Sequence, residues 1–170
     1  MASGDLLGIL KARDSIPPAA NFATFDTRVG TNVTVDVLDF DDSTDESVFF
    51  LGHMPDNYDG GGLTITIEYM MTSATSGTVS LDISLMSITD DADDIDTKSF
   101  AAANNINPTV ASATGETDYA PVTFTDGSDM DSIAAGEDFY LKFTRDANGT
   151  TSTDNASGDL ELVKITIVET

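Results

Sequence analysis

Three groups of carboxylates are the residues of this chain best suited by type and spacing to do chemistry. Asp39, Asp41, Asp42, Asp45 and Glu46 fall within eight residues, and Asp90, Asp91, Asp93, Asp94 and Asp96 within seven. Asp126, Asp129 and Asp131 form a third set. Hard cations such as calcium take about six to eight oxygens from carboxylates and backbone carbonyls. The group Asp90, Asp91, Asp93, Asp94 and Asp96 is therefore the strongest expectation for a calcium site, because so many like charges in one stretch repel unless something counters them. None of the groups follows the EF-hand spacing. The competing reading is three solvated loops that carry the charge of the body.

No catalytic set can be assembled. His53 is the single histidine, and it stands at the end of a strand pattern between Gly52 and Met54-Pro55. A serine triad would have to use it, yet no nucleophile-elbow sequence occurs. With no cysteine and one histidine, a soft-ligand metal site is excluded by count. Among 30 acids some pair always lies at a glycosidase spacing, so such a pair carries no information. No Trp and only four Tyr are present to offer sugar platforms. Gly60-Gly61-Gly62 lacks the Lys-Ser/Thr of a phosphate loop and leads into a strand, so it reads as a tight turn. The expectation is a protein without catalytic residues.

The charge is unevenly placed. Residues 1–32 hold Lys11, Arg13 and Arg28 against Asp5, Asp14 and Asp26 and sum to zero. Residues 33–170 hold four bases against 27 acids and carry the whole −23. Such a body repels nucleic acid and anionic membrane surfaces. No apolar run approaches the length of a membrane-spanning helix. The opening residues make a poor signal peptide, so cytoplasmic synthesis without export by a standard route is expected.

The elements that would position these residues are strands. Val33, Val35 and Val37 alternate with Thr34 and Asp36. Ser47 to Met54 is a second strand, stopped by Pro55. Leu63, Ile65, Ile67, Tyr69 and Met71 share one face of a third, and Val79, Leu81, Ile83 and Leu85 one face of a fourth. These two, joined by a loop of small residues, are expected to pair antiparallel. Ser99 to Asn105 leans helical through its alanines. Further strands follow at Val122–Phe124, Phe139–Thr144 and Leu160–Val168, and the phase slip in the last predicts a bulge near Leu162. Short strands with frequent turns and no long helix predict an all-β, antiparallel β-sandwich over residues 33–170, a jelly roll by preference. Residues 1–32 read as an extended N-terminal arm. Leu6, Leu7, Ile9, Leu10, Phe22 and Phe25 need a surface to cover them, and Pro17-Pro18 keeps the path extended. These eight residues are the expected partner-binding set.

Several stretches resemble a family of small virion structural proteins of tailed bacteriophages. They are residues 17–28 (PPAANFATFDTR), 38–46 (LDFDDSTDE), 57–65 (NYDGGGLTI), 72–77 (TSATSG) and 124–137 (FTDGSDMDSIAAGE). The resemblance implies a jelly-roll decoration or cement protein on the capsid exterior of the virion. It further implies the major capsid protein as partner and self-association, by analogy as a homotrimer. The alternative expectation is a tail or fibre module that recognises host-surface glycans, assisted by calcium.

Overall fold

The computed structural model describes residues 3–170. They form eleven strands: β1 (Leu6–Lys11), β2 (Ser15–Ile16), β3 (Thr24–Val29), β4 (Thr34–Phe40), β5 (Glu46–His53), β6 (Leu63–Met71), β7 (Leu81–Ile88), β8 (Asn104–Ile106), β9 (Asp118–Phe124), β10 (Asp138–Arg145) and β11 (Leu160–Glu169). The first sheet has the order β3-β4-β11-β6-β9, with β1 also paired to β11. The second has the order β2-β5-β10-β7-β8. Neighbouring strands run antiparallel throughout. From β4 to β7, and again from β9 to β11, successive strands alternate between the sheets. The molecule is thus an antiparallel β-sandwich of the jelly-roll kind, as its strand pattern predicts.

The period-two apolar faces meet between the sheets. Ile65, Ile67, Leu162 and Ile165 of the first face Phe50, Leu85, Leu141 and Phe143 of the second, and all are buried. The rings of Phe40 and Phe143 close the middle edge to face, with centroids 5.0 Å apart. The bulge expected near Leu162 is present: Leu162 pairs with Tyr69 and Lys164 with Glu68, which leaves Val163 as the extra residue. It turns Leu160 and Leu162, then Ile165 and Ile167, onto the same core.

Two local expectations need correction. β6 and β7 do not pair with each other; β6 lies between β11 and β9, and β7 between β10 and β8. Both strands carry a fully apolar face, so the chain arches across the core and sets those faces against each other instead of side by side. Residues 99–105 form no helix. Their end enters β8, where Asn104 pairs with Ile83.

The segment expected to be an arm is woven into both sheets. β4 occupies only Leu160–Leu162 along one side of β11. β1 takes the rest of that side, from Lys164 to Val168. Without it, the alternate backbone groups of this stretch that point away from β6 would lack partners and Ile165 and Ile167 would lack cover. Leu10 and Ala12 enter the core, and Leu7 packs against it. β2 joins β5, and β3 forms the outer edge of the first sheet.

Candidate functional site

Strand alternation puts a second set of side chains on the outer face of the second sheet. Across β5, β10 and β7, Leu51, Tyr140 and Met86 stand in one row, and Phe49, Lys142 and Ser84 in the next. A groove of about 340 Å³ runs over this face. Its floor is Phe49, Tyr140 and Met86, and it is also lined by Ile16, Pro17, Pro18 and Ala19 and by Ile95 and Phe100. The rings of Phe49 and Phe100 stack at 5.7 Å, with planes 11° apart. An open, apolar cleft of this size with three aromatic rings is the form that binding sites for small organic ligands take.

Polar groups flank it on the same face. Beyond the Leu51 row, His53 and Asp138 form a 2.7 Å contact between Nδ1 and Oδ1 at the strand ends, and both are exposed. They line a neighbouring, more polar depression with Thr89, Asp90 and Glu137. Lys142 stands on the other side, next to Phe49 in the register. The floor can stack against a flat apolar ligand face while its flanks donate and accept hydrogen bonds.

The acidic stretch is organised by hydrogen bonds and one lysine. Among the described residues no three acids, or acids with histidine, come together as a metal site. Asp90, Asp91, Asp94 and Asp96 are exposed, and Asp96 N–H donates to Asp94 Oδ1. Asp93 accepts from Lys98 Nζ at 2.6 Å and from Thr89 N–H at 2.7 Å. The Lys98 hydrogen bond, and after it that of Thr89, holds the Asp93 carboxyl below its usual range. Lys98 also reaches Asp131 at 3.2 Å and donates to Ser87 Oγ at 2.8 Å. Of the five, Asp93 thus ties the loop to Lys98 and through it to Asp131 and Ser87, and that loop carries Ile95 and Phe100 to the groove. The other acidic groups behave alike. Asp41 accepts from Ser43 and Thr44, Asp42 from Gly158 N–H, and Asp129 from Thr125 N–H.

The expected partner-binding residues divide. Leu10 is core and Leu7 packs on it, whereas Leu6, Ile9, Phe22 and Phe25 are exposed. Pro17 and Pro18 line the groove. Phe22 and Phe25 line a separate cleft with Ala12, Arg13 and Leu38, where Arg13 lies 5.2 Å from the Phe25 ring centre. Sequence reasoning missed Phe49, Met86, Phe100 and Tyr140. The available signal was the run Val48-Phe49-Phe50-Leu51, which is apolar on both faces and so marks an outer face that is itself apolar.

No protein-family profile matches the sequence, and no curated protein does. Solved structures of similar shape exist. The CBM35 domain from Paenibacillus barcinonensis superposes with a TM-score of 0.55 at 11% identity, over 96% of this chain and 99% of that one. The CBM22-1 xylan-binding domain of Xyn10C from the same organism gives 0.53 at 9%, over 99% and 97%. The carbohydrate-binding module CBM6cm-2 of Cellvibrio mixtus lichenase 5A, in complex with cellotriose, gives 0.50 at 14%, over 98% and 99%. At such identities the likeness establishes a shared fold.

Proposed function

We propose that this chain is a carbohydrate-binding β-sandwich that holds an oligosaccharide in the groove over Phe49, Tyr140 and Phe100 without turning it over. The groove is the observation that carries this reading. A pyranose presents a face of C–H groups to the negative face of an aromatic ring, while its hydroxyls reach sideways. The floor supplies the rings; Lys142, His53 and Asp138 supply the flanks. The likeness in fold to modules described as carbohydrate-binding, one of them xylan-binding and one holding cellotriose, supports glycan recognition over capsid cementing. Combined with the resemblance to phage virion proteins, it favours a module that touches host-surface glycans from a virion.

The test is a glycan array followed by calorimetric titration of the best soluble oligosaccharide, with xylohexaose and cellotriose as starting probes. Phe49→Ala and Tyr140→Ala should each weaken binding about tenfold or more, equivalent to about 1.4 kcal/mol. A chelator should leave affinity unchanged. Absence of any glycan binding, or binding indifferent to both substitutions, would overturn the reading.

A further inference from the structure

The outer edge of β3 is an open strand. Among the described residues β3 pairs with β4 alone, and Thr24 to Thr27 and Val29 are exposed. The β3–β4 hairpin closes with Gly30 N–H donating to Val33 C=O at 2.8 Å. From that pair the antiparallel alternation turns the N–H and C=O of Phe25, Thr27 and Val29 away from β4. Thr27 N–H accordingly finds only the Asp26 side chain, at 2.7 Å. The other edges are shorter or broken. β2 has two residues and β8 three, β1 carries a register shift, and β9 contains Pro121. Exposed large apolar side chains also gather here: Phe22, Phe25, Val29 and Val33, with Val29 77% exposed. A long apolar edge of this kind is a template for another strand.

We propose that β3 pairs antiparallel with β3 of a second copy of this chain, about a two-fold axis at Thr27, and joins the two first sheets into one. The strand is self-complementary in that register. Thr27 faces itself, Phe25 faces the second copy's Val29, and Asp26 faces the second copy's Arg28. The three residues whose backbone groups point outward all become hydrogen-bonded pairs. Moving the axis to Asp26 or to Arg28 would set each against its own like charge. Charge also selects this edge. Two bodies that each carry −23 repel, and β3 lies within the first 32 residues, whose charges cancel. Phe25 and Val29 lie on the side of the sheet where Leu38 enters the core, so pairing covers apolar side chains that one copy leaves in water.

Sedimentation equilibrium at micromolar concentration should give a dimer that tightens with added salt. Thr27→Pro removes an outward N–H that β4 does not use, so it should raise the dissociation constant at least about tenfold while the far-ultraviolet circular dichroism stays unchanged. Val29→Lys, on an exposed side chain, should weaken the dimer in the same way. The chain has no cysteine, so a single Thr27→Cys variant tests the register directly. Paired residues of this type sit about 5.5 Å apart at Cα, within disulfide reach. Thr27→Cys should crosslink to itself under mild oxidation, and Phe25→Cys should not. A monomer at every concentration, a trimer, a dimer unaffected by both Thr27→Pro and Val29→Lys, or a dimer that Thr27→Cys fails to crosslink would each overturn the proposal.

Discussion

Arg145 and Asp154 form a two-pronged ion pair sealed from water: Nε donates to Oδ2 and Nη2 to Oδ1, both at 3.0 Å. The guanidinium's remaining donors reach the carbonyls of Phe40, Gly158 and Ala156. All five are used. The loop from residue 146 to 159 is thereby fastened to the ends of β4 and β10. Asp154 Oδ2 also accepts Ser80 N–H, which ties in the start of β7.

Removing one partner should therefore cost far more than the pair contributes. Arg145→Met leaves a buried carboxylate without its counter-charge, held by Ser80 N–H alone, and takes a donor from three carbonyls, so about 3–5 kcal/mol of stability should be lost. The double variant Arg145→Met/Asp154→Leu should recover a substantial part, since the stranded charge is gone. Urea denaturation of the two variants and the parent checks this. Equal losses would show that the carbonyl contacts matter more than the ion pair.

Leu10 is 7% exposed and sits opposite Ile165 in the register of β1 on β11. Leu10→Ala should cost about 2–3 kcal/mol through lost burial and an unfilled cavity. A free arm would lose nothing. Guanidinium unfolding distinguishes the two, as does amide exchange along Lys164–Val168, which should quicken in the variant.

The strands were legible where one face is apolar and the other polar. Residues 63–69, 81–83 and 139–144 each bury alternate residues, and the phase slip at Leu162 already announced its bulge. β1 and β3 were not legible. β3 carries Phe25, Thr27 and Val29 on one side, but the strand overhangs the core and only part of that side is covered, so its composition matches a loose segment. Which strands share a sheet was also hidden, because two apolar faces can meet side by side or across a core, and the sequence of β6 and β7 serves either. The groove was missed for a related reason. An outward Phe49 beside a buried Phe50 looks like surplus core until the register places it next to Lys142 and near Tyr140.

Asp39 lies on the outer face of the first sheet, opposite Glu161 in the register. Its Oδ1 is buried without a hydrogen-bond partner in the structure. Burial first, then the charges of Glu161, Asp26 and Asp159, push its carboxyl up to about 6, against a pull from Arg28. The folded state thus prefers the neutral acid. That contribution is fully present below the unfolded value near 3.8 and is lost as pH rises through about 6. Asp39→Asn should match the parent near the bottom of this window and exceed it in stability above the top. Urea midpoints measured across the range test this; a variant less stable than the parent in neutral buffer would contradict it.

Gly52 stands on β5 with a special neighbour. A Cβ at this position would press into the Phe139 ring, which is buried in the core. Gly52→Ala should therefore cost about 1–3 kcal/mol through overpacking, although alanine suits a strand backbone better than glycine. Thermal unfolding reads the loss. Adding Phe139→Leu should restore part of it, because the smaller side chain vacates the space that the new methyl needs.

Lys98 links the loop that carries Phe100 to its support, through Asp93 on one side and Asp131 and Ser87 on the other. Its ion pairs and hydrogen bonds go to these three residues and not to the groove floor, so it is a positioning residue that holds Phe100 over Phe49. Lys98→Met should leave Asp93 and Asp131 repelling each other and release the loop. Two readings should move together: the fluorine resonance of a fluorinated Phe100 should sharpen as its stacking on Phe49 loosens, and oligosaccharide affinity should fall by about tenfold. Lys98→Arg keeps the charge and should restore most of both. A Lys98→Met variant with an unchanged resonance would mean that the stacked rings, and not the ion pairs, hold the loop in place.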